Sequence, residues 1–302
     1  MTAANTTQRP RLGFIGMGGM GSRMAGRLLA AGYDLTVYNR SRERTQSLAE
    51  RGAKVAASPA ELAEGVEIVL SSLADDAAVE TVMMAPHGAI FAARAGTIFV
   101  DMSTVSPALS RRLHAAGRRN WVFVLDAPVS GTTSVAEQGE LSIFVGGERA
   151  VYERCKPIFE AISKASLHMG PAGSGVMTKL CANTMLGLGM QALAEAVTLG
   201  TRGGLQRDGL LDALAGTAVV SPSQKSKLEN VRNGVYPPAF PLQLMAKDFR
   251  LIQSAAADLA MAMPGTAAAA QVAANEADRQ SALGHDEDFS SVVRAVEQMA
   301  TA

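Results

Sequence analysis

The stretch Leu12-Gly13-Phe14-Ile15-Gly16-Met17-Gly18-Gly19-Met20-Gly21 constrains this chain more than any other. The short apolar run from Leu12 to Gly16 reads as a buried strand, and Met20 to Ala31 carries a helical pattern. The spacing G-x-G-x-x-G lies across their junction. Alone it says little, because the chain has 29 glycines. Between a strand and a helix it has a mechanism. Gly16 allows the tight turn, Gly18 lets the backbone approach a pyrophosphate, and Gly21 permits close helix–sheet contact. Met17, Gly19 and Met20 complete the turn at a helix N-terminus, whose dipole attracts negative charge.

The same rhythm continues through the first half. Leu35 to Tyr38 reads as a second strand. Val66 to Leu70, Thr97 to Val100, Val122 to Leu125 and Leu141 to Val145 read as further ones. Ser58-Pro59-Ala60-Glu61 is a capping box with Pro at the first helical position, so a helix starts there. Ser106-Pro107 opens another. Short strands alternating with helices across short connections predict an α/β domain with a parallel, doubly wound sheet. The rhythm stops near Gly170-Pro171-Ala172-Gly173. From Val176 to Thr201 the pattern is one unusually long helix, and the remainder is helical with almost no β-branched run. The expected organisation is a doubly wound Rossmann domain at residues 11–172, then an all-α domain with one long central helix at residues 173–302.

Charge bears on partners. With 28 Lys+Arg against 28 Asp+Glu, the formal net charge is zero. That removes the broad electrostatic case for a nucleic-acid or membrane-surface partner. No stretch of about 20 uncharged apolar residues appears, so no membrane span is expected. The polar segment Met1 to Pro10 predicts no signal peptide. His87, His114, His168 and His285 lie far apart, and none stands at ligand spacing from another His or from Cys155 or Cys181. No metal site is expected, and both cysteines read as reduced thiols of a cytoplasmic protein.

The end of the second strand chooses between dinucleotides. An NAD enzyme usually places Asp or Glu there for the ribose 2′-hydroxyl. This chain has Tyr38-Asn39-Arg40-Ser41-Arg42. No carboxylate repels a 2′-phosphate, Arg40 can fork onto it, and Asn39 and Ser41 add neutral donors. The expected cofactor is NADP(H).

Three further segments stand out together: Asp126-Ala127-Pro128-Val129-Ser130-Gly131; Gly173-Ser174-Gly175-Val176-Met177-Thr178-Lys179 with Asn183; and Lys247-Asp248. In this order the set resembles the β-hydroxyacid dehydrogenase family. That family includes 3-hydroxyisobutyrate dehydrogenases, tartronate semialdehyde reductases and glyoxylate/succinic semialdehyde reductases. The resemblance runs from Arg11 to about Ala300. It implies that the Lys of G-x-G-x-x-x-K, here Lys179, is the catalytic residue. Lys179 and Asn183 are four apart on a helix and share a face, with Gly187 leaving room beside them. An ammonium there can donate a proton to a carbonyl oxygen as hydride arrives from the nicotinamide. The reverse reaction needs a pKa lowered by partial burial. Asn183 can hold the same oxygen or orient Lys179.

Ser130-Gly131-Thr132 resembles the family's S-G-G substrate segment, whose hydroxyls and N–H groups can receive a carboxylate. Thr132 replaces the second Gly and either narrows the pocket or adds a hydroxyl contact. Asp101-Met102-Ser103-Thr104 resembles the family's D-x-S-T segment, which places Thr104 near the nicotinamide ribose. Leu73-Ala74-Asp75-Asp76 is similar to a family cofactor loop, with Ala74 where Pro is common; Asp75 either belongs to that loop or caps the next helix. The resemblance also implies that Lys247 and Asp248 close over the cofactor while Phe240 lines the substrate pocket. Ala182 stands where many members carry Asn, a departure shared by some glyoxylate/succinic semialdehyde reductases.

The expectation is an oxidoreductase moving hydride between NADP(H) and a small, carboxylate-bearing aldehyde acid or β-hydroxyacid. One rival is an imine reductase of the same fold. Those enzymes usually carry Asp or Tyr where this chain has Lys179, which counts against it. The other is a non-catalytic NADP-binding sensor or scaffold, which has no use for Lys179 and Asn183. A helix as long as Val176 to Thr201 must be covered by something. The resemblance implies a helix-mediated homodimer or homotetramer.

Overall fold

The computed structural model describes residues 9–300. Its strands are β1 (Leu12–Ile15), β2 (Leu35–Tyr38), β3 (Lys54–Val55), β4 (Ile68–Ser71), β5 (Ile98–Asp101), β6 (Phe123–Asp126), β7 (Val129–Ser130), β8 (Leu141–Gly146) and β9 (Ser163–Gly170). They form one sheet in the order β3-β2-β1-β4-β5-β6-β8-β7, with β9 paired to β8. From β3 across to β6 every pairing is parallel. The order 3-2-1-4-5-6 reverses between β1 and β4, which is where a doubly wound sheet opens a ligand crevice. β1, β4 and β5 are buried along their whole length, as parallel strands covered on both faces must be.

One expectation needs correcting. β8 runs antiparallel to β6 and to β7. Between β6 and β8 the chain makes only β7 and the short helix Thr133–Gln138, and β7 folds straight back on β8. No crossover helix carries the chain over the sheet there, so the parallel run stops. The helix Arg149–Ile162 then supplies a crossover, and β9 returns parallel to β8.

Local chemistry sets the helix starts. Ser58 accepts from the Glu61 N–H and Pro59 follows it, while the Glu61 carboxylate reaches back to the Ala57 N–H rather than to that of Ser58. Ser106 caps the helix Pro107–Arg119. Asp75 accepts from the Ala78 N–H, which resolves its two readings toward a cap.

Beyond β9 the named elements are helices. The long helix Ser174–Arg202 begins at the end of one compact unit and continues in the next; the division falls between Lys179 and Leu180. In the second unit, the helix Leu242–Asp258 buries Leu242, Met245, Phe249, Ile252 and Ala256. It packs on the alanine-rich helix Pro264–Ala282, which buries Ala269, Ala270, Ala273 and Ala277. Small residues at that spacing let two helix backbones approach closely, which accounts for the alanines on this face. Among the described residues no helix is long and apolar enough to cross a membrane. No group of three or more His, Cys, Asp or Glu among them could hold a metal ion.

Candidate active site

Each glycine of the turn answers to a different constraint. Gly16 has φ +98°, and a Cβ there would stand 2.3 Å from the Ser72 carbonyl oxygen. A Cβ at Gly21 would stand 1.9 Å from the Gly16 carbonyl oxygen, so the helix could not lie where it does. A Cβ at Gly18 would meet no protein atom within 4 Å. Steric need within the protein explains Gly16 and Gly21, but Gly18 faces open space. Gly18 is also the N-cap of the helix Gly19–Ala30 and brings no side chain to its orphan N–H groups. Gly19 is exposed and Met20 half-buried. Bare backbone donors on an open side fit a dinucleotide pyrophosphate.

The end of β2 meets this turn through Asn39. Its Oδ1 accepts from the Met17 N–H at 2.9 Å, and its Nδ2 donates to the Ser41 carbonyl at 2.9 Å. Asn39 and Met17 therefore hold each other, so Asn39 braces the turn. Arg40 is exposed, as are Arg42 and Arg44, and Ser41 is half-buried.

Asp101, at the end of β5, is 3% exposed and organises the neighbouring loops. Its Oδ1 accepts from Ser71 Oγ at 2.7 Å and from Ser103 Oγ at 2.6 Å. Ser103 Oγ in turn accepts from the Leu73 N–H at 2.9 Å. This network fixes the loop bearing Leu73 and Ala74 and the half-buried Thr104 at the mouth of the sheet. Burial pushes the Asp101 carboxyl above its usual pKa, against the opposing pull of the Ser103 and Ser71 hydroxyls.

Asp126 ends β6 and is 2% exposed. Its Oδ1 accepts from the Gly173 N–H at 2.8 Å and its Oδ2 from the Val176 N–H at 2.9 Å. His114 Nε2 lies 3.4 Å from Oδ1. Burial alone would raise this carboxyl's pKa. The His114 ring and the two backbone donors outweigh it and hold the group below the usual range. The carboxylate thus caps the first turn of the long helix, and Lys179, half-buried, follows on the next turn. The surrounding glycines make the approach possible. A Cβ on Gly146 would stand 2.6 Å from Asp126 Oδ1, and one on Gly175 would stand 2.3 Å from the Phe144 carbonyl oxygen.

Ser130 pairs through its backbone with Ser142, and Gly131 at φ +145° turns the chain toward the helix Thr133–Gln138. Thr132 caps that helix, its Oγ1 accepting from the Val135 N–H at 3.4 Å and lying 2.8 Å from Ser134 Oγ. Its hydroxyl is engaged in holding its own loop.

In the second unit, Asn183, Lys247 and Asp248 come together. Asn183 is 2% exposed, and its Nδ2 donates to Asp248 Oδ2 at 2.5 Å. Lys247 Nζ lies 3.0 Å from Asp248 Oδ1. Asp248 is buried and Lys247 half-buried, so Lys247-Asp248 is not a solvated surface pair. The expected room beside Gly187 is filled: a Cβ there would stand 2.4 Å from Phe249 Cζ and 2.8 Å from Met245 Cε. Gly187 admits a helix contact, not a ligand. The half-buried Phe240 has its ring edge-on to Phe289 at 5.5 Å, and its N–H donates to Asp288 Oδ2 at 2.9 Å. The same oxygen receives Lys227 Nζ at 2.7 Å, in an ion pair that is almost wholly buried. Sequence reasoning gave no role to His114, Lys227 or Asp288, and it quoted Asp101 and Asp126 without a function of their own. A carboxylate that directly ends an apolar strand was the available signal for the last two.

The strand order and a glycine turn opening bare backbone at the switch point define the class of dinucleotide-binding proteins. Residues 11–170 match the family model described as the NAD binding domain of 6-phosphogluconate dehydrogenase. Residues 173–296 match the one described as the NAD-binding of NADP-dependent 3-hydroxyisobutyrate dehydrogenase. The chain is 36% identical to glyoxylate/succinic semialdehyde reductase 1 of Arabidopsis thaliana, over 94% of this chain and 98% of that protein. It is 34% identical to 2-(hydroxymethyl)glutarate dehydrogenase of Eubacterium barkeri, over 96% and 95%. The structure of Mycobacterium tuberculosis 3-hydroxyisobutyrate dehydrogenase with L-serine superposes with a TM-score of 0.85 at 28% identity, covering 96% of this chain and 99% of that one. The chain belongs to the β-hydroxyacid dehydrogenase family, the NAD(P)-dependent oxidoreductases of the 3-hydroxyisobutyrate dehydrogenase type.

Proposed function

We propose that this protein is a cytoplasmic, NADP(H)-dependent reductase of a small aldehyde acid, or in reverse a β-hydroxyacid dehydrogenase. Succinic semialdehyde and glyoxylate are the first candidates, by similarity to the Arabidopsis reductase. The observation that carries the proposal is Lys179, half-buried just beyond a helix start that Asp126 pins. A nicotinamide dinucleotide supplies the hydride when bound at residues 11–172. Lys179 Nζ donates a proton to the substrate's carbonyl oxygen, and its neutral amine takes the alcohol proton in the opposite direction. Asn183, held by Asp248, assists at the same oxygen within residues 173–302. Ser130, Gly131 and Thr132 receive the substrate carboxylate through backbone N–H groups, since the Thr132 hydroxyl serves its own helix. Phe240 lines the pocket. Asp248 contributes to substrate binding and Lys247 to cofactor binding.

NADP(H) is favoured by Arg40, exposed at the end of β2 where no carboxylate stands. The long helix exposes Met185 and Leu199, 76% and 77% accessible, and a second copy covers them in a homodimer or homotetramer.

The test is NADPH oxidation with C2 to C5 semialdehydes. Lys179→Ala is expected to cut kcat by at least about a hundredfold while NADPH binding persists. Near-wild-type turnover in that variant removes Lys179 from the mechanism. A wild-type protein inert toward the whole panel overturns the substrate class.

A further inference from the structure

We infer that Asp126 is a positioning residue for Lys179: its buried carboxylate clamps the first turn of the long helix and so fixes where the reacting amine stands. The inference rests on the reading of Lys179 as the acid–base group.

Three observations carry it. The carboxylate spends one oxygen on the Gly173 N–H and the other on the Val176 N–H, so it holds the turn at two points. Two contacts from one planar group fix rotation as well as translation, which a single cap does not. Lys179 is three residues beyond Val176, about 4.5 Å further along a helix axis at about 1.5 Å per residue. A tilt of the first turn therefore reaches the amine with little attenuation.

The second observation is the crowding around the clamp. The end of β6, the end of β8 and the start of the helix cross at Asp126, Gly146 and Gly175. A Cβ on Gly175 would meet the Asp126 carbonyl oxygen at 2.7 Å and the Gly146 nitrogen at 2.8 Å. No side chain could enter to loosen the contact. This gives the glycines before Lys179 a purpose: they admit the sheet to the helix, and the Lys that follows is located by that approach.

The third is His114. Its Nε2 stands 3.4 Å from the same carboxylate, on the helix Pro107–Arg119, and is 14% exposed. It shields the carboxylate from water and favours its ionised form. The carboxylate thus draws the helix Pro107–Arg119 and the start of the long helix to one point.

The test uses the intact protein. Asp126→Asn keeps the shape but turns an NH2 toward one of the two N–H donors. Its kcat is expected to fall about ten- to a hundredfold, the scale of loss that misplacing a reacting group by about 1 Å brings. NADPH affinity, read by fluorescence titration, stays unchanged. Hydrogen exchange speeds up at residues 173–178 and not in β1 or the helix Gly19–Ala30. In a Lys179→Ala background the same substitution removes no further turnover, because it acts through the amine. Wild-type kcat in Asp126→Asn, with Lys179→Ala crippled, overturns the positioning role and leaves the acid–base reading intact. Wild-type turnover in Lys179→Ala overturns the acid–base reading and the inference with it. A fall in NADPH affinity matching the fall in kcat marks general damage to the domain and also overturns the inference. If Asp126→Asn does not fold, Asp126→Ser, a shorter acceptor with room for water, carries the same comparison.

Discussion

Gly18→Ala and Gly21→Ala should separate the turn's two duties. At Gly18 the backbone sits at φ −76° and ψ −170°, which alanine adopts without strain. A Cβ there meets no protein atom within 4 Å. Stiffening the unfolded chain favours alanine by about 0.4–1 kcal/mol. Alanine is the poorer N-cap, at a cost of a few tenths of a kcal/mol up to about 1 kcal/mol. The two nearly cancel, so the apo protein's melting temperature should hardly move. NADPH affinity should fall at least tenfold, because the methyl takes the space the pyrophosphate needs; that is about 1.4 kcal/mol. Gly21→Ala behaves differently. Its Cβ would stand 1.9 Å from a backbone oxygen, which cannot rotate away. Overpacking of this kind costs about 1–3 kcal/mol or more, so this variant should lose stability with no ligand present. Differential scanning fluorimetry of the apo forms and NADPH fluorescence titration read both effects. Wild-type NADPH affinity in Gly18→Ala would show that the phosphates do not approach this turn. A Gly18→Ala protein less stable than Gly21→Ala would refute the steric argument itself.

Arg40→Asp should shift preference from NADPH toward NADH, measured as the ratio of kcat/KM values; an unchanged ratio would place 2′-phosphate recognition elsewhere. Gly187→Ala should destabilise by about 1–3 kcal/mol despite alanine's better helix propensity, since its Cβ would stand 2.4 Å from Phe249 Cζ. Adding Phe249→Leu should then cost less than the sum of the two single losses, and strict additivity would deny the contact. Burial opposes ionisation of Glu276, but hydrogen bonds from Arg279, Arg294 and Gln280 outweigh it and lower its pKa from 4.5 to about 2. A depressed carboxyl adds stability above pH 4.5 that is lost as pH falls toward about 2. Glu276→Gln should therefore flatten the acid limb of the stability profile, and an unaltered limb would show that other carboxylates set it.

What the sequence reveals follows from how local the physics is. The strand, glycine turn and first helix can be read directly because each rests on neighbours within a few residues. The same holds for the caps at Ser58 and Ser106, whereas Asp75 reads equally as a loop residue until its bond from the Ala78 N–H is seen. β9 is hidden because it is an edge strand with alternating exposure, and Ser163-Lys164-Ala165-Ser166-Leu167-His168-Met169-Gly170 offers no apolar run. The reversal of β8 is hidden for another reason. Strand direction depends on whether a helix crosses the sheet, and the two-turn Thr133–Gln138 helix leaves that open until β7 is seen to pair. Gly187 was misread because a small residue on a helix face leaves room equally for a ligand or for a phenyl ring. Only the position of Phe249 decides between them.

The buried aspartates show why a balanced charge count conceals the most organised parts of the molecule. Asp101, Asp126, Asp248 and Asp288 are each at most 3% exposed. Leaving such a charge unpaired costs several kcal/mol, so each must recruit donors. Asp101 takes two serine hydroxyls, and Asp126 takes two backbone N–H groups. Asp248 takes the Asn183 amide with Lys247 close by, and Asp288 takes Lys227 and the Phe240 N–H. Each set joins segments far apart in sequence, and each lies beside residues proposed for the site: Leu73 and Thr104, Lys179, Asn183, Phe240. A loop at the mouth of a sheet faces water and cannot be fixed by burying apolar surface. A desolvated carboxylate fixes it by direction instead, because its hydrogen bonds are strong, few and geometrically demanding. Summed over the chain these carboxylates cancel against lysines and arginines and leave no trace in the net charge. In the fold Asp101 holds a loop, Asp126 a helix start, Asp248 two helices together and Asp288 the segment before the helix Leu242–Asp258.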